Sequence, residues 1–182
     1  MNKALFLDRD GVINNDYGYV YKIKDFVFID NIFKLTKDAA DKKYLIFVVT
    51  NQSGIGRGLY SIDDFNILSK WMCDRFLEQG VLINGVYNSP YHPIYGVGKY
   101  KKDDNSRKPK SGMIYKAQEE FNIDLKKSIL IGDKITDIEA GHNAGIGTNI
   151  LYLDKNDIKP VSDLNFKIVN DLCDAKLFLH KN

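Results

Sequence analysis

An α/β fold, a Rossmann-like three-layer sandwich around a central and mainly parallel sheet, is predicted by three features of this 182-residue sequence. Short apolar runs of strand length recur along the chain, amphipathic segments separate them, and polar or acidic residues directly follow several of the runs. Continuous apolar runs suit strands that are buried on both faces. Strands that alternate with helices imply right-handed crossovers in an open sheet.

The order of these segments gives the predicted elements. Strands are predicted at residues 4–7, 44–49, 128–131, 149–153 and 166–169. Helices are predicted at residues 31–43, 61–79, 111–121, 134–143 and 171–180. Ser61 and Asp64 resemble a capping box at the start of the second helix. Residues 88–110 break the alternation with three of the four prolines, so we expect one domain over residues 1–182 with a long loop and no large cap domain.

Composition excludes several classes of protein. The 26 Lys+Arg and 24 Asp+Glu give a formal charge of +2, which is unlike a strongly basic nucleic-acid binder. No apolar run is long enough for a membrane span or a signal peptide. Two cysteines, Cys73 and Cys173, are too few for a disulfide scaffold. We therefore expect a cytoplasmic protein with no membrane or nucleic-acid partner, and a monomer is the default expectation.

Polar residues that follow the apolar runs indicate where the chemistry takes place. Asp8 and Asp10 follow the first run, Thr50 the second, and Asp133 the run at 128–131. Ligands of open α/β sheets bind beyond the carboxyl ends of the strands. Carboxylates gathered there would repel one another unless a hard cation such as Mg²⁺ joined them. Taken alone, however, the segment that contains Asp8 and Asp10 is also compatible with a simple polar turn.

Two further segments are compatible with phosphate binding. The glycine-rich residues 54–58 suit either a loop that cradles phosphate with backbone N–H groups or a flexible turn. They lack the ending of a Walker A loop. Arg107 and Lys108 precede the helix at 111–121, which suits a phosphate site or a solvated basic loop.

Four ordered motifs resemble those of the haloacid dehalogenase (HAD) superfamily of phosphatases. They are DRDGVIN at 8–14, VTNQSGIGRG at 49–58, RKPKSGM at 107–113 and GDKITDI at 132–138. The match is closest to the D-glycero-D-manno-heptose 1,7-bisphosphate phosphatases, which are related to histidinol-phosphate phosphatases. The resemblance extends over nearly the whole chain.

The resemblance implies roles for five residues. Asp8 would be the nucleophile that forms an aspartyl-phosphate, and Asp10 would be the acid and base. The side chains of Asp8 and Asp133 and the backbone carbonyl of Asp10 would hold Mg²⁺. Thr50 and Lys108 would hold the phosphoryl oxygens.

It also implies a set of substrate-binding residues. These are Asp16, Tyr17, Gly18, Tyr19, Asn51, Gln52, Ser53 and Arg107. Lys134 is a further candidate from its position next to Asp133. Arg107 would meet the remote phosphate, whereas Lys134 would touch substrate or be exposed. The alternative for at least one of the tyrosines near residue 19 is partly buried packing. Asp137 is expected to cap or brace the loop after Asp133.

The sequence departs from the family at one site. Many members hold a structural zinc ion with a Cys-x-His pair and a Cys-x-Cys pair in the long loop. Here Ser89, Tyr91, Asp104 and Ser106 stand at those positions. We therefore expect no zinc, and we expect prolines, tyrosines and contacts with the rest of the domain to order the loop.

Together these observations predict a Mg²⁺-dependent phosphatase. It would hydrolyse the 7-phosphate of heptose 1,7-bisphosphate on the route to a nucleotide-activated heptose for surface polysaccharide, and both anomers stay open as substrates. The alternatives are a histidinol-phosphate phosphatase, a polynucleotide 3′-phosphatase and a non-catalytic phosphosugar-binding protein.

Overall fold

A six-stranded parallel sheet forms the centre of this computed structural model, which describes residues 1–153 and 164–179. The strands are β1 (Lys3–Leu7), β2 (Tyr44–Asn51), β3 (Gly85–Ser89), β4 (Ile129–Gly132), β5 (Thr148–Tyr152) and β6 (Lys167–Val169). The helices are α1 (Ile32–Asp41), α2 (Ser53–Gly56), α3 (Ile62–Glu78), α4 (Gly112–Phe121), α5 (Ile135–Ala144) and α6 (Leu172–Ala175). The strand order is β3-β2-β1-β4-β5-β6, which places β1 and β4 in the middle.

Side chains of β1 alternate between two hydrophobic cores. Leu5 and Leu7 pack on the side of α1 and α3, whereas Ala4 and Phe6 pack on the side of α4 and α5. All four residues are fully buried. Because successive strand residues point to opposite faces, a continuous apolar run is what a sheet covered by helices on both faces requires. The predicted three-layer α/β architecture is confirmed.

The long α3 follows its sequence signals closely. Ser61 accepts a hydrogen bond from the backbone N–H of Asp64, and the Asp64 side chain accepts one from the backbone N–H of Ser61. This reciprocal capping box satisfies two N–H groups that a helix start otherwise leaves without partners. On the inner face of the helix, Leu68, Met72 and Phe76 are buried.

Three elements differ from the sequence prediction. β3 pairs with β2 as an edge strand, although its sequence GVYNS has no apolar run. α2 is a short helix where a glycine-rich loop was expected. The helix expected at 171–180 is shorter, since α6 passes into a 3-10 turn at Lys176–Phe178, and residue 180 lies outside the described residues.

The expected long loop leaves the carboxyl end of β3. Residues 90–111 contain one 3-10 turn, Gly98–Tyr100, and lead into α4. No insertion within residues 1–153 and 164–179 is large enough to form a cap domain over the sheet. Among the described helices, none combines the length and apolar character that crossing a membrane requires.

Candidate active site

The carboxyl ends of β1, β2 and β4 meet at one cavity of about 330 Å³. Asp8 follows β1, Thr50 lies near the end of β2, and Asp133 follows β4. The cavity is lined by Asp8, Asp10, Asp16, Gly18, Tyr19, Thr50, Asn51, Gln52, Ser53, Tyr60, Lys108, Lys134, Thr136 and Asp137. Residues that are far apart in sequence therefore come together because their strands are parallel neighbours.

Three carboxylates form a compact acidic cluster at this edge. One oxygen each from Asp8, Asp133 and Asp137 lies within 4.8 Å of the others. Oδ1 of Asp133 is buried without a hydrogen-bond partner. Burial, followed by the charge of Asp8, raises the pKa of Asp133 to about 7, and burial raises the pKa of Asp8 as well. Hard oxygen donors that are costly to ionise without a partner fit a divalent cation such as Mg²⁺.

Gly11 makes this close arrangement possible. Its φ is +94°, a backbone conformation that L side chains rarely adopt. A Cβ atom at this position would lie 2.2 Å from Oδ2 of Asp133. The glycine after Asp10 therefore both turns the chain and leaves room for the Asp133 carboxylate.

Lys108 places a positive charge inside the acidic cluster. Its Nζ atom lies 3.0 Å from Oδ1 of Asp8 and 2.5 Å from Oδ1 of Asp137, and it donates to the carbonyl of Val49 at 2.9 Å. Lys108 is only 3% exposed. Burial disfavours its charge, but the carboxylates of Asp137 and Asp8 outweigh burial and raise the pKa of Lys108. The ammonium group therefore stays charged and offsets part of the acidic cluster.

Asn51 fixes the backbone that carries Lys108. The side chain of Asn51 accepts a hydrogen bond from Lys108 N at 3.0 Å and donates one to Lys108 O at 3.1 Å. These two bonds connect the end of β2 to the end of the long loop. The position of the buried ammonium group therefore depends on both elements.

A separate network holds the carboxylate of Asp10. It accepts hydrogen bonds from Arg9 Nη2 at 2.8 Å, Asn14 Nδ2 at 3.0 Å and Gln52 Nε2 at 2.8 Å. Tyr60 donates to Oε1 of Gln52 at 2.5 Å, which orients the amide group. These bonds hold Asp10 in a fixed position at the cavity. Its carboxylate is not one of the three that form the acidic cluster.

Lys134 and Asp16 close one side of the cavity. The Lys134 ammonium group lies 3.0 Å from Oδ2 of Asp16 and 3.5 Å from Oδ2 of Asp133. Asp137 accepts a hydrogen bond from Lys134 N at 3.0 Å, so it braces the loop after Asp133 as expected and caps the start of α5. It also pairs with Lys108, a contact that the sequence did not predict.

Two expected substrate-binding residues lie outside the cavity lining. Tyr17 is 65% exposed and bonds to Asn15. Arg107 donates from Nη1 to the carbonyl of Tyr91 at 3.0 Å. Conversely, Tyr60 and Thr136 line the cavity although they were not singled out from the sequence. Tyr60 lies two residues after the motif that ends at Gly58, and Thr136 lies inside the motif GDKITDI.

Gly54 and Gly56 have a packing role in this structure. A Cβ atom on Gly54 would lie 2.2 Å from the ring of Tyr60, and one on Gly56 would lie 2.2 Å from Pro90 O. The cavity lining includes Ser53, the first residue of α2, but none of residues 54–58. The glycines therefore allow α2 to pack against the long loop and Tyr60.

Comparisons with known proteins identify the family of this chain. A family model described as HAD-hydrolase-like matches residues 105–175. A D-glycero-alpha-D-manno-heptose-1,7-bisphosphate 7-phosphatase of Burkholderia mallei is 55% identical over 85% of this chain and 82% of its own length. A D-glycero-beta-D-manno-heptose-1,7-bisphosphate 7-phosphatase of Haemophilus influenzae is 47% identical over 83% and 82%.

A solved structure shares the fold. D,D-heptose 1,7-bisphosphate phosphatase from B. bronchiseptica, crystallised with magnesium and phosphate, superimposes with a TM-score of 0.80 at 21% identity, covering 97% of each chain. The sequence relatives carry the stronger evidence, because their identity is high over most of both chains. The chain is a phosphoric monoester hydrolase, and it belongs to the HAD-like family of heptose-1,7-bisphosphate 7-phosphatases.

Proposed function

We propose that this chain hydrolyses the 7-phosphate of D-glycero-D-manno-heptose 1,7-bisphosphate with the help of Mg²⁺. The observation that carries the proposal is the meeting of Asp8, Asp133 and Lys108 at the strand ends, beside a cavity large enough for a sugar phosphate. The names of the two sequence relatives support this substrate. The reaction would supply a nucleotide-activated heptose route to surface polysaccharide.

Mg²⁺ would be held by the side chains of Asp8 and Asp133 and by the backbone carbonyl of Asp10. The unpartnered Oδ1 of Asp133 and the raised pKa of this carboxyl support the assignment. When bound, the ion supplies positive charge that offsets the repulsion between an anionic nucleophile and an anionic phosphate. The related B. bronchiseptica enzyme, solved with magnesium and phosphate, is consistent with it.

Asp8 would attack the phosphorus atom and form an aspartyl-phosphate. The bond between phosphorus and the sugar oxygen breaks, and Asp10 donates a proton to that leaving oxygen. Asp10 then takes a proton from water, which hydrolyses the acyl phosphate and regenerates Asp8. The Arg9, Asn14 and Gln52 donors keep the Asp10 carboxylate in place for both proton transfers.

Lys108 and Thr50 would bind the phosphoryl oxygens. In the structure, Lys108 is paired with Asp8 and Asp137 at 3.0 and 2.5 Å. A phosphate that enters the cavity brings negative charge to the same ammonium group. Positive charge preorganised at this position stabilises the charge that spreads over the transferred phosphoryl group.

The heptose would bind along the polar wall of the cavity. Its hydroxyl groups would face Asp16, Asn51, Gln52 and Ser53, which line this wall. Tyr19 and Gly18 form the adjoining edge. We assign Tyr17 and the remote-phosphate contact of Arg107 to this site on the family resemblance alone.

Phosphate release from both anomers of the bisphosphate tests the proposal. We expect release that stops with chelator and resumes on addition of Mg²⁺. Histidinol phosphate and a 3′-phosphorylated oligonucleotide serve as competing substrates in the same assay. A higher kcat/KM for either of them, or equal release with and without chelator, would contradict the proposed function.

A further inference from the structure

The long loop has a cation at the place where the family resemblance puts zinc. The four positions in question carry Ser89, Tyr91, Asp104 and Ser106. Their side chains offer two hydroxyls, a phenol and one carboxylate. Structural zinc sites use thiolates and imidazoles, so this donor set does not fit the ion. The imidazole within the loop, His92, already accepts backbone hydrogen bonds at Nδ1 from Ile94 and Tyr95.

The side chain of Lys102 lies among these residues. Its Nζ atom is 2.7 Å from Oδ2 of Asp104 and 4.2 Å from the centre of the Tyr91 ring. An ammonium group is attracted both by a carboxylate and by the negative face of an aromatic ring. One cation thus connects two of the four positions.

Hydrogen bonds connect the other two positions. Oδ1 of Asp104 accepts from the backbone N–H of Ser106 at 2.9 Å and from its hydroxyl at 2.6 Å. The hydroxyls of Ser106 and Ser89 are 3.0 Å apart, and Ser89 is fully buried at the end of β3. Burial opposes ionisation of Asp104, but the bonds from Lys102 and Ser106 outweigh it and lower its pKa to about 2. The carboxylate is therefore charged at neutral pH.

This cluster is continuous with the active site. The carbonyl of Asp104 accepts a hydrogen bond from Arg107 N at 3.1 Å, and the Arg107 side chain donates to the carbonyl of Tyr91 at 3.0 Å. Lys108, the next residue, enters the acidic cluster. The loop is thus anchored immediately before the residue whose ammonium group must be placed.

We propose that the Lys102 ammonium group, held by Asp104 and the Tyr91 ring, takes the place of a metal ion as the cation that orders this loop. Lys102 and Asp104 are then positioning residues for Lys108. Only the activity measurement below rests on the proposed function. Metal content and loop cleavage are independent of it.

Zinc content is the first test. The purified chain, expressed in zinc-supplemented medium, is analysed by mass spectrometry for bound metals. We expect less than about 0.1 zinc per chain, since no thiolate or free imidazole is present in the cluster. About one zinc per chain that disappears in Asp104→Asn would overturn the proposal.

Loop order is the second test, with Lys102→Gln as the main variant. Lys102 is half exposed, so the change leaves the core intact. We expect limited proteolysis within residues 90–111 to become several-fold faster. Lys102→Arg keeps a cation for both partners and should restore the slow cleavage. The matched control is Lys70→Gln, which removes an exposed ion pair of 3.0 Å in α3 and should leave the cleavage rate unchanged.

Kinetic measurements distinguish a displaced Lys108 from a loop that is only less ordered. In Lys102→Gln we expect kcat at saturating Mg²⁺ to fall about 10-fold with a smaller change in KM, because a displaced Lys108 affects the transferred phosphoryl group most. Lys102→Arg should recover most of kcat. If Lys102→Gln has the same proteolysis rate and the same kcat as wild type, the proposal is wrong. An inactive wild-type chain would contradict only the proposed function.

Discussion

Lys108 joins two regions of the molecule that are ordered in different ways. On one side, the ends of β1, β2 and β4 carry Asp8, Thr50 and Asp133 on buried strands. On the other, residues 90–111 are ordered by an ion pair at the surface, an aromatic ring and short hydrogen bonds. Removing one partner of a buried ion pair destabilises a protein far more than removing one partner of an exposed pair. The two regions should therefore respond to substitution on different scales.

The largest effect is expected at Asp8, in the strand-end region. Asp8→Asn removes the proposed nucleophile while keeping the shape of the side chain. We expect phosphate release to fall at least about 10³-fold, as for other residues that form a covalent intermediate. Asp63→Asn, on an exposed position of α3, is the control and should keep full activity. An Asp8→Asn enzyme with more than about a tenth of wild-type activity would contradict the assignment.

Lys108 and Lys102 compare the two regions directly. Lys108→Met leaves Asp8 and Asp137 without their buried cation, and we expect the free energy of unfolding to fall by about 3–5 kcal/mol. Lys102→Met breaks an ion pair whose lysine is 51% exposed, and we expect a much smaller loss, because exposed ion pairs contribute little to stability. Denaturant titration of both variants measures the difference. Similar losses would mean that the two regions are not ordered differently.

The same division explains what the sequence predicts well. Apolar runs followed by Asp8, Thr50 and Asp133 indicate both the strands and the edge at which they end, because parallel neighbours align their carboxyl ends. The central sheet and the acidic cluster follow from that pattern. Gly11 is also predictable, since a turn is needed directly after Asp10.

Features that depend on contacts between distant segments were missed. β3 has no apolar run and forms only by pairing with β2. Tyr60 enters the cavity because its hydroxyl meets Gln52, a contact with no local signal. Tyr19 lines the cavity whereas Tyr17 is 65% exposed, and the backbone has positive φ values at Gly18 and Tyr19, of 78° and 54°. A tyrosine in the left-handed region is uncommon, and no local pattern in the sequence indicates it.

In the absence of metal, Asp133 should make the stability of the folded state depend on pH. Its pKa is raised to about 7 by burial and by Asp8, so its contribution to stability is present below the unfolded pKa of about 4 and is lost as the pH rises to 7. Asp133→Asn should therefore be more stable than wild type at pH 8, by about 1 kcal/mol or more, and not at pH 4. Thermal unfolding in chelator measures this difference.

Stabilisation by Mg²⁺ tests whether Asp133 belongs to the metal site. The ion should raise the melting temperature of the wild-type chain at pH 8, because it binds the folded state. The Asp133→Asn variant should show a much smaller increase. Equal increases in both chains would remove Asp133 from the metal site.

In the loop region, Asp104 should give stability a pH dependence of the opposite sign, and this is the smallest of the expected effects. Its pKa is lowered to about 2 by Lys102 and Ser106, against the effect of burial. The contribution of Asp104 is therefore present above the unfolded pKa of about 4 and is lost as the pH falls towards 2. At pH 6, Asp104→Asn should lose less than about 1 kcal/mol, and the loss should shrink at pH 3. Relative to wild type, Asp133→Asn should become more stable as the pH rises, and Asp104→Asn should become less stable. One pH series on both variants therefore distinguishes a carboxyl whose pKa is raised by burial from one whose pKa is lowered by a cationic partner.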